Sequence, residues 1–165
     1  MKGDAMAETI PIKLTVNGVV VQKLVEPRQH LTDFLRSELS LTGSHIGCEH
    51  GVCGACSVRV NGRVVRGCLM LASQANGAEI ETIEGLVETR EAAKLIEAFV
   101  ARNALQCGFC TPGILLTAAE LLVEGKFLDR EEIRKELSGN ICRCTGYHAI
   151  IDAVEAVLIE EIGKG

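Results

Sequence analysis

The stretch Gly47-Cys48-Glu49-His50-Gly51-Val52-Cys53-Gly54-Ala55-Cys56 decides the reading of this chain, together with Cys68 further on. Its spacing is C-x4-C-x2-C…C. Thiolates set this closely converge on one inorganic centre, and the glycines between them explain how. A loop wrapping a centre needs residues free to take positive φ and to bring backbone close to sulfur, which Gly51 and Gly54 provide. Backbone N–H groups aimed at the thiolates then offset their negative charge.

C-x4-C-x2-C…C is the plant-type [2Fe–2S] spacing. A zinc site is the competing reading, but zinc sites favour two facing C-x2-C knuckles. Working outward, Ile12 to Val16 alternates as a strand, Asn17-Gly18 is a type I′ turn, and Val19 to Leu24 returns. Leu31 to Leu39 places Leu31, Phe34, Leu35 and Leu39 on one helical face. Ser57–Val60 and Arg63–Arg66 flank Asn61-Gly62 as a second hairpin. Met70 to Gln74 reads as a helical turn, and Ala78 to Ile83 as a last strand led in by Asn76-Gly77. Two hairpins, a helix and a late strand predict a β-grasp ferredoxin domain over residues 12–87, after a flexible leader at 1–11.

The chain then changes character. Arg90 to Ala104 carries a stripe of Ala93, Leu95, Ile96, Phe99 and Val100. Thr111 as N-cap and Pro112 as first helical residue open a helix through Val123, closed by Gly125. Asp129 and Glu132 form a capping box for a helix ending near Leu137. His148 to Ile162 is the last helix, with Ile151, Val154 and Val157 inward. Residues 88–165 are thus predicted to be a four-helix bundle domain, giving an α+β chain.

The 165 residues are 47% hydrophobic, which excludes wholesale disorder, and with 3% aromatics the core must be aliphatic. A net charge of −5 argues against nucleic acid or an anionic membrane as partner. No apolar run spans a bilayer and no signal peptide is legible, so a cytoplasmic setting is expected. Thiols stay reduced there, so eight cysteines call for metal rather than disulfides. The remaining four, Cys107-x2-Cys110 and Cys142-x-Cys144, form a second quartet contributed by two loops. The helix N-terminus after Pro112 and Arg143 would add positive potential beside it. The four histidines are scattered. His50, inside the first loop, reads as a surface residue, and no group reads as a catalytic base.

Gln106-Cys107-Gly108-Phe109-Cys110-Thr111-Pro112-Gly113 and Gly139-Asn140-Ile141-Cys142-Arg143-Cys144-Thr145-Gly146-Tyr147 resemble the signature of the iron–sulfur subunit of molybdenum hydroxylases, the xanthine oxidase family. The resemblance covers the whole chain after the leader. It implies that Cys48, Cys53, Cys56 and Cys68 hold an outer [2Fe–2S] cluster, nearer FAD. Cys107, Cys110, Cys142 and Cys144 would hold an inner one, nearer molybdopterin. Gln106, and with it Cys144, would contact the pterin. The implied partners are a large molybdopterin subunit and a medium FAD subunit, in a dimer of heterotrimers, with the pterin as its cytosine dinucleotide. The stretch Leu41 to Cys48 is similar to the branch containing carbon monoxide dehydrogenase and N-heteroaromatic hydroxylases. N-heterocycle or aldehyde hydroxylation is placed ahead of carbon monoxide oxidation. Readings from other classes are a zinc-stabilised interaction module and a free-standing ferredoxin.

Overall fold

The computed structural model describes residues 8–163. Strands β1 (Ile10–Val16) and β2 (Val19–Val25) pair antiparallel, with Val16 opposite Val19 at the turn. Asn17 and Gly18 both take positive φ, as a type I′ turn requires. The hairpin of β3 (Ser57–Val60) and β4 (Arg63–Arg66) repeats this at Asn61-Gly62. β5 (Glu79–Glu81) runs parallel to β1 and antiparallel to β3, giving the order β2-β1-β5-β3-β4. Helix α1 (Leu31–Glu38) lays Leu31, Phe34 and Leu35 on this sheet against Ile12, Leu14, Val16, Val58 and Ile80. This is the α+β, β-grasp arrangement the two hairpins predict.

Several local expectations shift, among them the stripe of the first bundle helix, where Ala93 and Val100 are exposed and the helix ends at Ala101. Ile10 and Pro11, expected in the leader, are the first residues of β1; residues 1–7 lie outside the described part. The turn expected at Met70 to Gln74 is a 3-10 turn at Ala72–Ala75. The strand expected over Ala78 to Ile83 is shorter, because Thr82 leaves the ladder to start the short helix α2 (Ile83–Leu86). Thr82 is held there by Asn17, whose side chain accepts from Thr82 N and donates to its hydroxyl, both at 2.9 Å. Ile83 and Leu86 pack into the helical core, so core membership changes at Ile83, before the boundary expected after residue 87.

The helical half contains α3 (Arg90–Ala101), α4 (Thr111–Glu124), α5 (Arg130–Glu136) and α6 (His148–Ile162). Asp129 caps α5 through the N–H groups of Glu131 and Glu132, and Glu132 returns the bond to Asp129 N. Gly125 ends α4 with φ of 65°. Ile151, Val154 and Val157 face inward as expected.

α4 is the joint of the molecule. It packs on α3 and α6, and also on β3 and β4. Glu120 on α4 accepts from Val64 N at 2.8 Å, satisfying a donor that the terminal strand β4 would otherwise leave open. Among the described residues no helix is long and apolar enough to cross a membrane.

Candidate metal centres

The first cysteine loop follows α1 and ends at β3. Glu49, Gly51 and Gly54 take φ of 54°, 75° and 73°, so the chain coils around Cys48 with its N–H groups turned inward. His50 N and Cys53 N lie 3.4 Å from Cys48 Sγ. These donors, Cys53 foremost, lower the Cys48 pKa to about 6. Cys56 and Cys68 are buried, the latter in a 3-10 turn at Gly67–Leu69 after β4. Gly67 is required there: a Cβ would stand 2.4 Å from Thr32 Oγ1 on α1. Burial pushes the Cys56 thiol up to about 11; the Cys68 N–H opposes the rise and the Cys68 thiol adds to it. His50 is exposed, with its ring against the Cys48 carbonyl, as a surface histidine.

The second set comes from two loops. Cys110 itself is the N-cap of α4: its carbonyl accepts from Ile114 N at 3.1 Å, which makes Thr111 the first helical residue. The expected cap at Thr111 is therefore one residue late. Pro112 is still tolerated, because N–H groups of a first turn have no helical partner. Cys142 and Cys144 sit between the 3-10 turn Leu137–Gly139 and α6. Tyr147, at φ of 70°, turns its hydroxyl back to accept from Cys142 N at 2.8 Å and to donate to Asn140 O at 3.3 Å. Burial, then Cys142, pushes Cys110 up to about 12. Burial acts the same way on Cys142 but is outweighed by donation from the Thr145 hydroxyl and N–H, so its pKa falls. Of this pair Cys142 therefore gives up its proton before Cys110.

The thiols meet in twos. Cys107 and Cys144 lie 3.5 Å apart, and Cys110 adjoins Cys142. Cys48 adjoins Cys53, and Cys56 adjoins Cys68. Among the described residues no three His, Cys, Asp or Glu side chains converge on a single ion. Paired thiols are what a two-iron core asks for, with four cysteines shared between two irons, whereas structural zinc draws four ligands to one point. The donor set thus fits two [2Fe–2S] clusters, and no thiol of one set contacts a thiol of the other in these pairings. Gln106 and Cys144, expected at the pterin, come together on the surface: Gln106 Nε2 donates to Cys144 O at 3.1 Å, and both residues are exposed.

Asn140, Thr145 and Tyr147 are the site residues that sequence reasoning left without a role, although all three lie in the second signature. Their only signal in the sequence is membership of that signature; the burial of Asn140 appears only in the fold.

Residues 10–100 match a family described as "2Fe-2S iron-sulfur cluster binding domain", and residues 82–155 match one described as "[2Fe-2S] binding domain". The caffeine dehydrogenase subunit gamma of Pseudomonas sp. (strain CBB1) is 50% identical, over 88% of this chain and 89% of its own length. The nicotine 6-hydroxylase small subunit of Paenarthrobacter nicotinovorans is 47% identical, over 90% of this chain and 89% of its own. In the crystal structure of quinoline 2-oxidoreductase from Pseudomonas putida 86, a chain 47% identical superposes with a TM-score of 0.86 over 93% of this chain and 96% of that one. These likenesses favour iron–sulfur over zinc and carry both cysteine-bearing halves together. The chain belongs to the small [2Fe–2S] subunits of the molybdenum hydroxylase, or xanthine oxidase, family, non-catalytic components of oxidoreductase complexes.

Proposed function

We propose that this chain carries electrons from a molybdopterin centre on a large partner subunit to FAD on a medium one. Cys48, Cys53, Cys56 and Cys68 hold the [2Fe–2S] centre on the FAD side. Cys107, Cys110, Cys142 and Cys144 hold the centre on the molybdenum side. When bound, each centre supplies a one-electron site. The chain's own work is to hold the irons, shield their charge with N–H groups and set the spacing between them.

The observation that carries this reading is the meeting of the two ligand loops: Ile141 N donates to Cys53 O at 2.8 Å, joining neighbours of one set to the other. Gln106 and Cys144, exposed side by side, present an amide and a backbone carbonyl suited to a pterin. The relatives named for caffeine, nicotine and quinoline support an N-heteroaromatic substrate, with an aldehyde next. The cytosine dinucleotide form of the pterin, a dimer of heterotrimers and a cytoplasmic setting complete the proposal.

The test is to purify the complex through a tag on this chain and add N-heterocycles without oxygen. Two larger subunits should co-purify, with about four irons and four labile sulfides per small chain, the content of two [2Fe–2S] centres. The visible cluster bands should bleach with the right substrate. A brown protein without larger partners would instead be a free-standing ferredoxin, and a colourless one with zinc an interaction module. Gln106→Ala should keep the iron while slowing substrate-driven bleaching; loss of iron would remove Gln106 from the pterin contact.

A further inference from the structure

The first cysteine loop meets the second set twice: His45 stacks on Phe109 of the Cys107–Cys110 loop, and the Cys53–Gly54 stretch is pressed in a seam against the Asn140–Ile141 stretch before Cys142. Among the described residues, Ile141 N to Cys53 O is the backbone-to-backbone bond that joins them, and each of its ends lies in or beside a cysteine of a different set. Asn140, immediately before Ile141, is 1% exposed. Its Nδ2 donates to Gly54 O at 3.2 Å, one residue after Cys53. Its Oδ1 lies 3.0 Å from the Thr117 hydroxyl on α4. The amide is thus held from below by the helix and grips the opposite loop from above.

The seam has no slack. A Cβ at Gly54 would stand 2.4 Å from Gly139 O, and a Cβ at Gly113 on α4 would stand 2.2 Å from Gly54 O. Arg66 on β4 reaches across to Gly139 O at 2.6 Å. A buried amide with both ends partnered is costly to disturb, because removing one partner leaves the other unsatisfied. Its placement fixes the backbone bond from Ile141 N to Cys53 O, which among the described residues joins the two cysteine sets.

We propose that Asn140 is a positioning residue for electron transfer between the two centres: by clamping Gly54 it holds the Cys53 carbonyl on the Ile141 N–H and so fixes the separation and coupling of the clusters. This rests on the relay reading above. The step is the passage of one electron, the molybdenum-side centre being oxidised by one as the FAD-side centre is reduced by one. No bond in the chain forms or breaks, and no proton moves at Asn140. In the intact enzyme the electron comes from substrate oxidised at the large subunit; in the test it can come from dithionite.

The test uses the whole complex, as wild type, Asn140→Ala and Thr117→Val. Three quantities are read: iron and sulfide content, the low-temperature magnetic splitting between the two reduced centres, and the rate at which an electron equilibrates between them. Asn140→Ala should keep both centres, change the splitting and slow equilibration several-fold, because an electron's passage falls off steeply with the separation of the centres. Thr117→Val takes the hydroxyl from Asn140 Oδ1 and from Gly113 O but leaves the Asn140 bond to Gly54 O, so it should move the same readouts less far. A merely structural Asn140 would lower the melting temperature and leave splitting and rate untouched, which overturns the proposal. Should Asn140→Ala lose iron, Thr117→Val decides: altered splitting with full iron supports the role, and unaltered splitting, or iron loss there as well, ends it. A wild-type complex in which the two centres show no splitting, or in which substrate reduces neither, sinks the relay itself and this proposal with it. A normal wild type beside an unchanged variant sinks only the role of Asn140.

Discussion

The two cysteine sets reach the same donor count by opposite means. The first takes three of its four from one coiled loop, where positive-φ residues turn N–H groups onto Cys48. The second takes two cysteines from each of two loops that only the helical core brings together: α4 places Cys110, and α6 with Tyr147 places Cys142. The first is therefore a local structure with a tertiary fourth member, and the second is tertiary throughout. A loop can shield a thiolate with its own backbone. In the second set Thr145 adds its hydroxyl to its N–H in shielding Cys142, and Tyr147 fixes the loop by accepting from Cys142 N. The second set should accordingly be the more sensitive to changes in helix packing.

The most severe way to break this comparison is Cys142→Ser. Because the sets do not share a thiol, it should remove the second centre alone, lowering iron from about four to about two per chain, two irons being lost with one cluster. One of two paramagnetic signals should survive on reduction. Loss of both would mean that the first loop depends on the second through the Cys53–Ile141 seam.

Reactivity of the metal-free chain sharpens the contrast next. Cys48 is lowered from 9.0 to about 6, whereas Cys56 and Cys110 are raised from 9.0 to about 11 and about 12. The thiolate is the nucleophile, so at neutral pH iodoacetamide should label Cys48 orders of magnitude faster than the other two. Mass mapping after short exposures checks this. The signs also set stability. The contribution from Cys48 is complete above pH 9.0 and is lost as pH falls through about 6. Those from Cys56 and Cys110 are complete below pH 9.0 and are lost as pH rises through about 11 and 12. Metal-free protein should therefore weaken on either side, and a melting temperature still rising above pH 9 would show that Cys56 and Cys110 are not held neutral.

Gly113→Ala comes third. The added methyl would stand 2.2 Å from the backbone Gly54 O, which cannot yield as a side-chain end does, and 3.0 Å from the buried Asn140 Nδ2. Overpacking of this kind costs about 1–3 kcal/mol, read as a lower melting temperature. The same substitution at Gly125, where nothing lies within 4 Å of a Cβ, meets only the strain of positive φ and should disturb neither centre's spectrum.

How much of this was legible in the sequence follows the same division. The hairpins announce themselves through Asn-Gly turns, and β3 and β4 begin and end at the residues the alternation picks out. Asp129 and Gly125 mark helix ends because capping is local chemistry. What sequence order hides is tertiary. Thr82 looks like one more strand residue, yet Asn17, sixty-five positions away, draws it out of the sheet. Asn140 looks like a loop polar residue until α4 and Gly54 close around it. The cysteine spacing announces a cluster loop, but the pairing of thiols across Cys107 and Cys144 exists only once the helices are packed.

The smallest expected effect isolates that packing. Asp129→Ala removes the acceptor for the N–H groups of Glu131 and Glu132 at the start of α5, a loss of about 1 kcal/mol for a helix cap. The other end of α5 runs into the 3-10 turn at Leu137–Gly139 and so into Asn140, but Ile133 and Leu137 are fully buried and anchor it against the core. Fraying should therefore stay in the first turn: the melting temperature falls slightly, while both cluster signals and their splitting keep their wild-type form. A broadened signal from the second centre alone would show that α5 transmits its end fraying to the ligand loop. The second set would then be still more dependent on helix packing than the contacts of Thr145 and Tyr147 imply.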